Sequence, residues 1–342
     1  MNLGTWAFGL VESLGVDSLT FEELDAESAL FDAEVLRSDD LDRFCSSSDW
    51  VLPAARTLMP PTDAWIRRHE HGWLALVRHT ESRHTVLQPL ESLWGLACPL
   101  VGGEPGLVSL ALDAARILDA EARADVLALS GLVPQSPRFL ALARALDRRR
   151  ELRLGPLTRR RAASLAGGLD GFLARRSSGF RTSLRRAQRR AVERGVKIGA
   201  VAVDPASVDG LYARILAVEE RSWKGKEGVG FACTDLLSFY REMLPRLARR
   251  GALRARIATN VDGEDIGFIF GGILGDTYRG LQFSFVDAYD DCSLGNLLQT
   301  EMVGALADEQ VAIYDLGTDV EYKRRWGEIT TDTVLLVGMP VR

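Results

Sequence analysis

The chain reads as an α/β protein of two lobes, each a mixed sheet flanked by helices. Three observations lead there. A length of 342 residues corresponds to about two domains of ordinary size. A hydrophobic content of 46% and a charged content of 26% are those of a globular protein, and they exclude a disordered, collagen-like or disulfide-scaffold chain. One order of elements (hairpin, Gly-bearing loop, helix, buried strand) also occurs twice, at an offset of about 180–190 residues.

Residues 1–60 carry 12 acids against 3 arginines, with apolar residues at irregular spacing, and Pro60-Pro61 closes them. They are expected to pack as an acidic segment on a first lobe over 61–150. In that lobe Gly72–Val77 reads as a strand, a second strand starts near Thr85, and Gly102–Gly106 is loop chemistry. Leu107–Leu118 has helical apolar spacing, and Ala124–Leu129 is a short buried-type strand. Residues 151–198 are expected to be Arg-rich connecting helices. Within them Phe180, Leu184, Ala187 and Ala191 form one helical stripe, and Gly195 supplies the stop. Arg185 with Arg189, and Arg186 with Arg190, make two rows of positive charge beside that stripe.

The second lobe, over 199–342, repeats the order. A helix starts near Ala206 and closes at Glu219–Gly225. Leu253–Thr259 and Ile266–Leu274 are strands joined through the Asp262-Gly263 turn signal. Tyr278–Tyr289 reads as a long strand and Asp290–Gly295 as a polar loop. An amphipathic helix follows over Leu297–Ala307, with the helix start placed at Asn296, and then a strand over Val311–Leu316.

Charge is unevenly spread. The net charge is −5, and of 42 basic residues only Lys197, Lys224, Lys226 and Lys323 are lysines, a bias expected of a GC-rich bacterial genome. Residues 138–197 nevertheless hold 18 basic residues and 4 acids, a local net of +14. A segment of that kind suits phosphates, a polyanion or an acidic protein. The four cysteines show no metal-type spacing, and no leader-like or membrane-spanning apolar run is visible, so a cytoplasmic location is expected.

The candidate chemistry lies mostly in the second lobe. All four histidines (His69, His71, His79, His84) sit beside a hairpin without metal spacing. There is no Gly-x-Ser-x-Gly elbow, Walker loop or dinucleotide fingerprint. The strand–loop–helix unit from Tyr278 to Ala307 is the stronger signal. Free amides at Ser293, Leu294, Gly295 and Asn296 can hold a pyrophosphate at a helix start, with Ser293 as cap and Gly295 allowing close ligand approach. Arg185 and Arg189 are the neighbouring phosphate candidates. Carboxylates able to deprotonate an amine include Asp315 at a strand's C-terminal end, Glu219 and Glu220, besides Asp319 and Glu321.

Four passages carry a family resemblance: Phe180–Arg190, Glu219–Gly225, Ser293–Leu298 and Tyr314–Trp326. On these the chain resembles the two-lobed branch of the GNAT acyltransferase superfamily, which includes Fem-type aminoacyltransferases and CelD-type proteins associated with cellulose biosynthesis. The match covers roughly 150–340, and the first half matches in element order alone; its lobe is expected to be a degenerate GNAT-like one, since Glu104 and Pro105 stand in the Gly102–Gly106 loop where a phosphate would sit.

The resemblance implies N-acyl transfer. Acyl-CoA would be a co-substrate, with no permanently bound cofactor and no metal, and an acidic acyl carrier protein is an alternative donor. The acceptor would be an amine, on a peptide or a small molecule, as in lipopeptide or secondary-metabolite tailoring. It further implies that the strand through Phe285, Val286 and Asp287 offers amides to the thioester carbonyl; Tyr322 or Tyr314 would then protonate the thiolate. Trp223, Lys224, Lys323 and Trp326 would line the substrate side. Rival readings are a Fem-type transferase using aminoacyl-tRNA and a non-catalytic binding protein on the same scaffold.

Overall fold

The computed structural model describes residues 17–59, 63–120, 124–147 and 149–341. The remainder of the acidic segment, the Pro60-Pro61 closure and Arg148 lie outside the described residues. The chain divides into two units. One comprises residues 1–159 with 331–342, and the other residues 160–330.

The first unit opens with β1 (Asp17–Leu19) and helices α1 (Phe21–Ala26), α2 (Ser28–Arg37), α3 (Arg43–Ser46) and α4 (Ser48–Thr57). A reciprocal cap starts α1: Thr20 Oγ1 accepts from the Glu23 amide at 3.2 Å, and Glu23 accepts from the Thr20 amide at 2.8 Å. The meander β2 (Asp63–His69), β3 (Gly72–Glu81) and β4 (His84–Pro89) follows, antiparallel throughout, with β5 (Leu100–Val101) beside β3. Helix α5 (Leu107–Ala120) leads to β6 (Val126–Leu132), which lies parallel to β4. Helix α6 (Pro137–Asp147) and β7 (Arg150–Ser164) come next.

β7 corrects one expectation. The sequence of 151–198 reads as connecting helices, yet 15 residues from Arg150 are extended. Leu152 and Leu154 alternate with charged neighbours, which is a strand period, and Pro156 would break a helix here.

The second unit begins with the end of β7, then α7 (Gly168–Ala174), α8 (Ser178–Glu193) and β8 (Lys197–Ala200). The stripe predicted for α8 is buried at all four positions, and Ser177 caps its start by accepting from the Phe180 amide at 3.2 Å. Helix α9 (Val208–Arg221) stops at Ser222, so the expected run to Gly225 is broken, and α10 (Trp223–Lys226) is a separate turn. Helix α11 (Leu236–Arg249), β9 (Leu253–Thr259), β10 (Asp265–Leu274) and β11 (Thr277–Phe285) follow. The long strand expected to reach Tyr289 ends at Phe285 because residues 287–292 turn into a 3-10 helix. Helix α12 (Leu294–Asp308) and β12 (Ile313–Thr318) complete the repeat. β8, β9, β10 and β11 are antiparallel neighbours, β11 and β12 are parallel, and β12 pairs antiparallel with Arg160–Ser164 of β7. The unit's core gathers Phe172, Phe180, Leu298, Met302, Tyr278, Tyr314 and Trp326.

β13 (Ile329–Pro340) is the last strand. Its residues Val334–Gly338 pair with β6, so the first unit takes its final strand from the far end of the chain. The units are therefore not the consecutive blocks 61–150 and 199–342. Among the described residues no helix is long and apolar enough to cross a membrane.

Candidate functional site

The site begins where β11 and β12 part. They pair in parallel at only three positions, Thr277–Arg279 opposite Ile313–Asp315, although β11 continues to Phe285. Right-handed twist separates strands that lose their ladder. The gap holds a small cavity of about 50 Å³, walled by Gly280–Phe283, Tyr314, Leu316, Tyr322 and Lys323.

Its charge is set by a buried cluster. Asp315 is 4% exposed and its carboxylate is fully engaged: Arg160 Nη1 donates at 2.6 Å, Arg279 Nη2 lies at 3.1 Å, and the Gly317 amide donates at 2.7 Å. Asp315 thus neutralises arginines and shapes the turn at Gly317, so the expectation that it takes a proton from an amine is corrected. Lys323 donates to the Thr318 carbonyl at 2.9 Å. Burial and the nearby Arg279 push its ammonium down to about 8. Tyr322 packs edge-on to Phe283 at 6.1 Å, and burial pushes its hydroxyl up to about 12, so it is protonated at neutral pH.

A second group reaches the cavity wall from α9 and α10. Lys224 donates to the Phe283 carbonyl at 3.2 Å; burial lowers its pKa, and the charge of Glu219 opposes that shift. Glu219 is 1% exposed. Its Oε1 accepts from the Phe231 amide at 3.2 Å, while Oε2 has no hydrogen-bond partner among the described residues. Glu220, the next residue on the helix, faces solvent. Sequence alone left these two acids equivalent, because their separation needs the helix phase. Trp223 is half exposed at the start of α10, and Lys226 pairs with Asp287 at 2.6 Å.

The expected phosphate loop is altered. Ser293 precedes α12 in the left-handed region, φ 49°, and its side chain makes no capping bond. Its carbonyl accepts from Asn296 and Leu297, which leaves the amides of Leu294 and Gly295 as the first of the helix. Leu294 is a core side chain. Gly295 has no Cβ because one would stand 2.8 Å from the Phe283 ring, so its role is close helix–sheet packing rather than ligand approach. Phe285 packs on the same core, and the Val286 amide donates to Ile266 O at 2.8 Å.

Two other expectations change. Trp326 is 1% exposed and edge-on to Phe180 at 5.1 Å, so it is core rather than substrate wall. Residues 321–325 form a 3-10 helix, which removes the helical spacing between Tyr322 and Trp326. Arg185 and Arg189 are exposed and, with Arg186, make no ion pair among the described residues. The α8 arginine that binds the 287–292 turn is Arg190, donating to Asp291 O at 2.7 Å, and Arg194 just past the helix pairs with Asp291 at 2.6 Å and lies over the Tyr289 ring. The i, i+4 continuation from Arg190 to Arg194 was the available signal for this. Burial pushes the Cys292 thiol up, the wrong direction for a nucleophile. No group of three metal-ligating side chains occurs among the described residues.

Residues 178–324 match the acetyltransferase (GNAT) domain family. A crystal structure of FemX is similar over 93% of this chain and 96% of its own, with a TM-score of 0.65 at 10% identity. The chain has the two-lobed GNAT fold.

Other similar structures agree. One is the C-terminal domain of a protein named as a lysylphosphatidylglycerol synthetase from Agrobacterium fabrum (TM-score 0.60, 14% identity, 91% of each chain). Another is a conserved protein of unknown function from Bacteroides thetaiotaomicron (TM-score 0.58, 10% identity, 95% of this chain and 99% of that one). No curated protein sequence matches the chain. The GNAT domain match starts at the first residue of α8 and ends just short of Trp326, so it brackets the strand gap, the α12 start and the Lys224 and Lys323 groups.

Proposed function

We propose that the protein is an N-acyltransferase that moves an acyl group from acyl-CoA, or from an acidic acyl carrier protein, to an amine. The observation that carries this reading is the parting of β11 and β12 over a cavity flanked by Tyr322 and Lys323. A thioester lying along β11 would present its carbonyl to the strand's main chain, with its phosphates near the Leu294 and Gly295 amides. Glu219, the buried acid with a vacant oxygen, takes a proton from the acceptor amine. The amine nitrogen then attacks the thioester carbon, the C–S bond breaks, and the Tyr322 hydroxyl protonates the departing sulfur. Lys323 holds negative charge as it develops on the carbonyl oxygen. The four free cysteines suit a reducing cytoplasm.

Glu219→Gln should lower turnover by about 10²–10⁴-fold while leaving CoA affinity in calorimetry unchanged, with Glu220→Gln as the silent control. Unaltered turnover in Glu219→Gln would remove it as the base. A second reading, aminoacyl transfer from tRNA, is favoured by the bare row Arg185, Arg186 and Arg189 on α8 and by the FemX likeness. Steeply salt-dependent tRNA binding, lost when the three are changed to Gln, would select it over acyl-CoA.

A further inference from the structure

We propose that the first unit holds a second binding site, for an uncharged small molecule bearing hydroxyl and amide groups, in the opening between β4 and β6. These strands repeat the geometry of the second unit. They pair in parallel at Val86–Leu87 opposite Val126–Leu127 and have no paired residue beyond. The space past the last pair is a cavity of about 320 Å³, within the usual range for small-molecule pockets of about 300–1,000 Å³.

Its lining fixes the class of ligand. Among the described residues no Asp, Glu, Lys, Arg or His contributes to the wall. Gln88, Ser130 and Thr158 supply amide and hydroxyl groups, and Trp94 and Leu335 supply apolar surface. Among the described residues Gln88 and Thr158 make no side-chain hydrogen bond, and Ser130 reaches the Ala97 carbonyl only at 3.5 Å. A phosphate or carboxylate would lose its hydration here without gaining a counter-charge. A neutral molecule would find donors, acceptors and an indole. The wall is also built rather than incidental. Buried Glu91 accepts from the Trp94 amide at 2.6 Å and the Ala97 amide at 3.4 Å, and the Trp94 ring packs on Trp50 at 4.9 Å. The Thr333 hydroxyl donates to Gly95 O at 3.3 Å, tying the same turn to β13.

The shared chemistry, neutral hydroxyl and amide groups, can come from an N-acylated sugar or from a peptide. Saturation-transfer NMR on the full chain would use N-acetylglucosamine and N-acetylserine amide as probes, with N-acetylglucosamine 1-phosphate as the charged comparison. At least one neutral probe should bind, and the one that does identifies the source. Gln88→Leu with Thr158→Val should weaken it by about tenfold or more. Leu93→Asp, at a 62% exposed position on the rim where folding is insensitive, should weaken it as well. The proposal is overturned if neither neutral probe binds more tightly than about 10 mM, if both variants bind as well as wild type, or if the phosphorylated sugar binds equally well.

Discussion

The two strand openings share a strand plan and differ in size and in chemistry, the first unit's cavity being about 320 Å³ and the second's about 50 Å³. In both units a parallel pair loses its register after two or three residues, and a cavity follows. In the second unit Lys323 lines the opening, with Asp315, Arg160 and Arg279 clustered beside it. In the first it is neutral. The loops that precede the corresponding helices differ too. Gly102 and Gly106 are closed off, since a Cβ on either would meet His71 within 2.6 Å, and Arg138 donates to the Leu100 and Gly102 carbonyls. One strand plan thus frames a lysine-lined opening in the second unit and, among the described residues, an opening without ionisable side chains in the first.

The sharpest way to break this contrast is Asp315→Ala. Removing the carboxylate takes from the buried Arg279 and the partly buried Arg160 the counter-charge they share, at a cost of about 3–5 kcal/mol in urea unfolding. Thr158→Val in the neutral opening should stay within about 0.5 kcal/mol. If Asp315→Asn instead lost turnover without losing stability, Asp315 would be a base after all.

Gly295→Ala tests the helix–sheet contact beside the charged opening. Its new Cβ overlaps Phe283, and overpacking of that kind costs about 1–3 kcal/mol. CoA binding should fall only as far as the displaced Phe283 disturbs the wall, which calorimetry beside a melting curve would resolve.

The smallest expected effect is a change in pH profile. Lys323 titrates near 8 when folded against 10.5 for an ordinary lysine, so between those values the unfolded chain binds the extra proton. Stability from this group therefore rises with pH across that window and is at its lowest below pH 8. Lys323→Met should flatten that rise in melting temperature. It should also lower acyl transfer if the ammonium holds charge on the carbonyl oxygen.

Sequence patterning captured what depends on local periodicity. The α8 stripe, β9 to its end residues, and the order of elements in both units followed from apolar spacing and turn signals. Non-local features were not legible. Asp315, at the end of a strand, looks like a ligand-facing acid until β7 and β11 deliver two arginines to it. Gly295 looks like a phosphate-loop glycine until Phe283 arrives across the sheet. Arg150–Ser164 carries enough arginine to resemble a basic helix, and its alternating leucines were outweighed by that composition.

The return of β13 to the first unit has a consequence for biosynthesis. β6 waits for Val334–Gly338, which leave the ribosome about 200 residues later. The earlier-made half must therefore spend the synthesis of the later one with an open sheet edge, the kind of surface that recruits chaperones or stray strands. Premature termination before residue 331 would damage the half that had already been made.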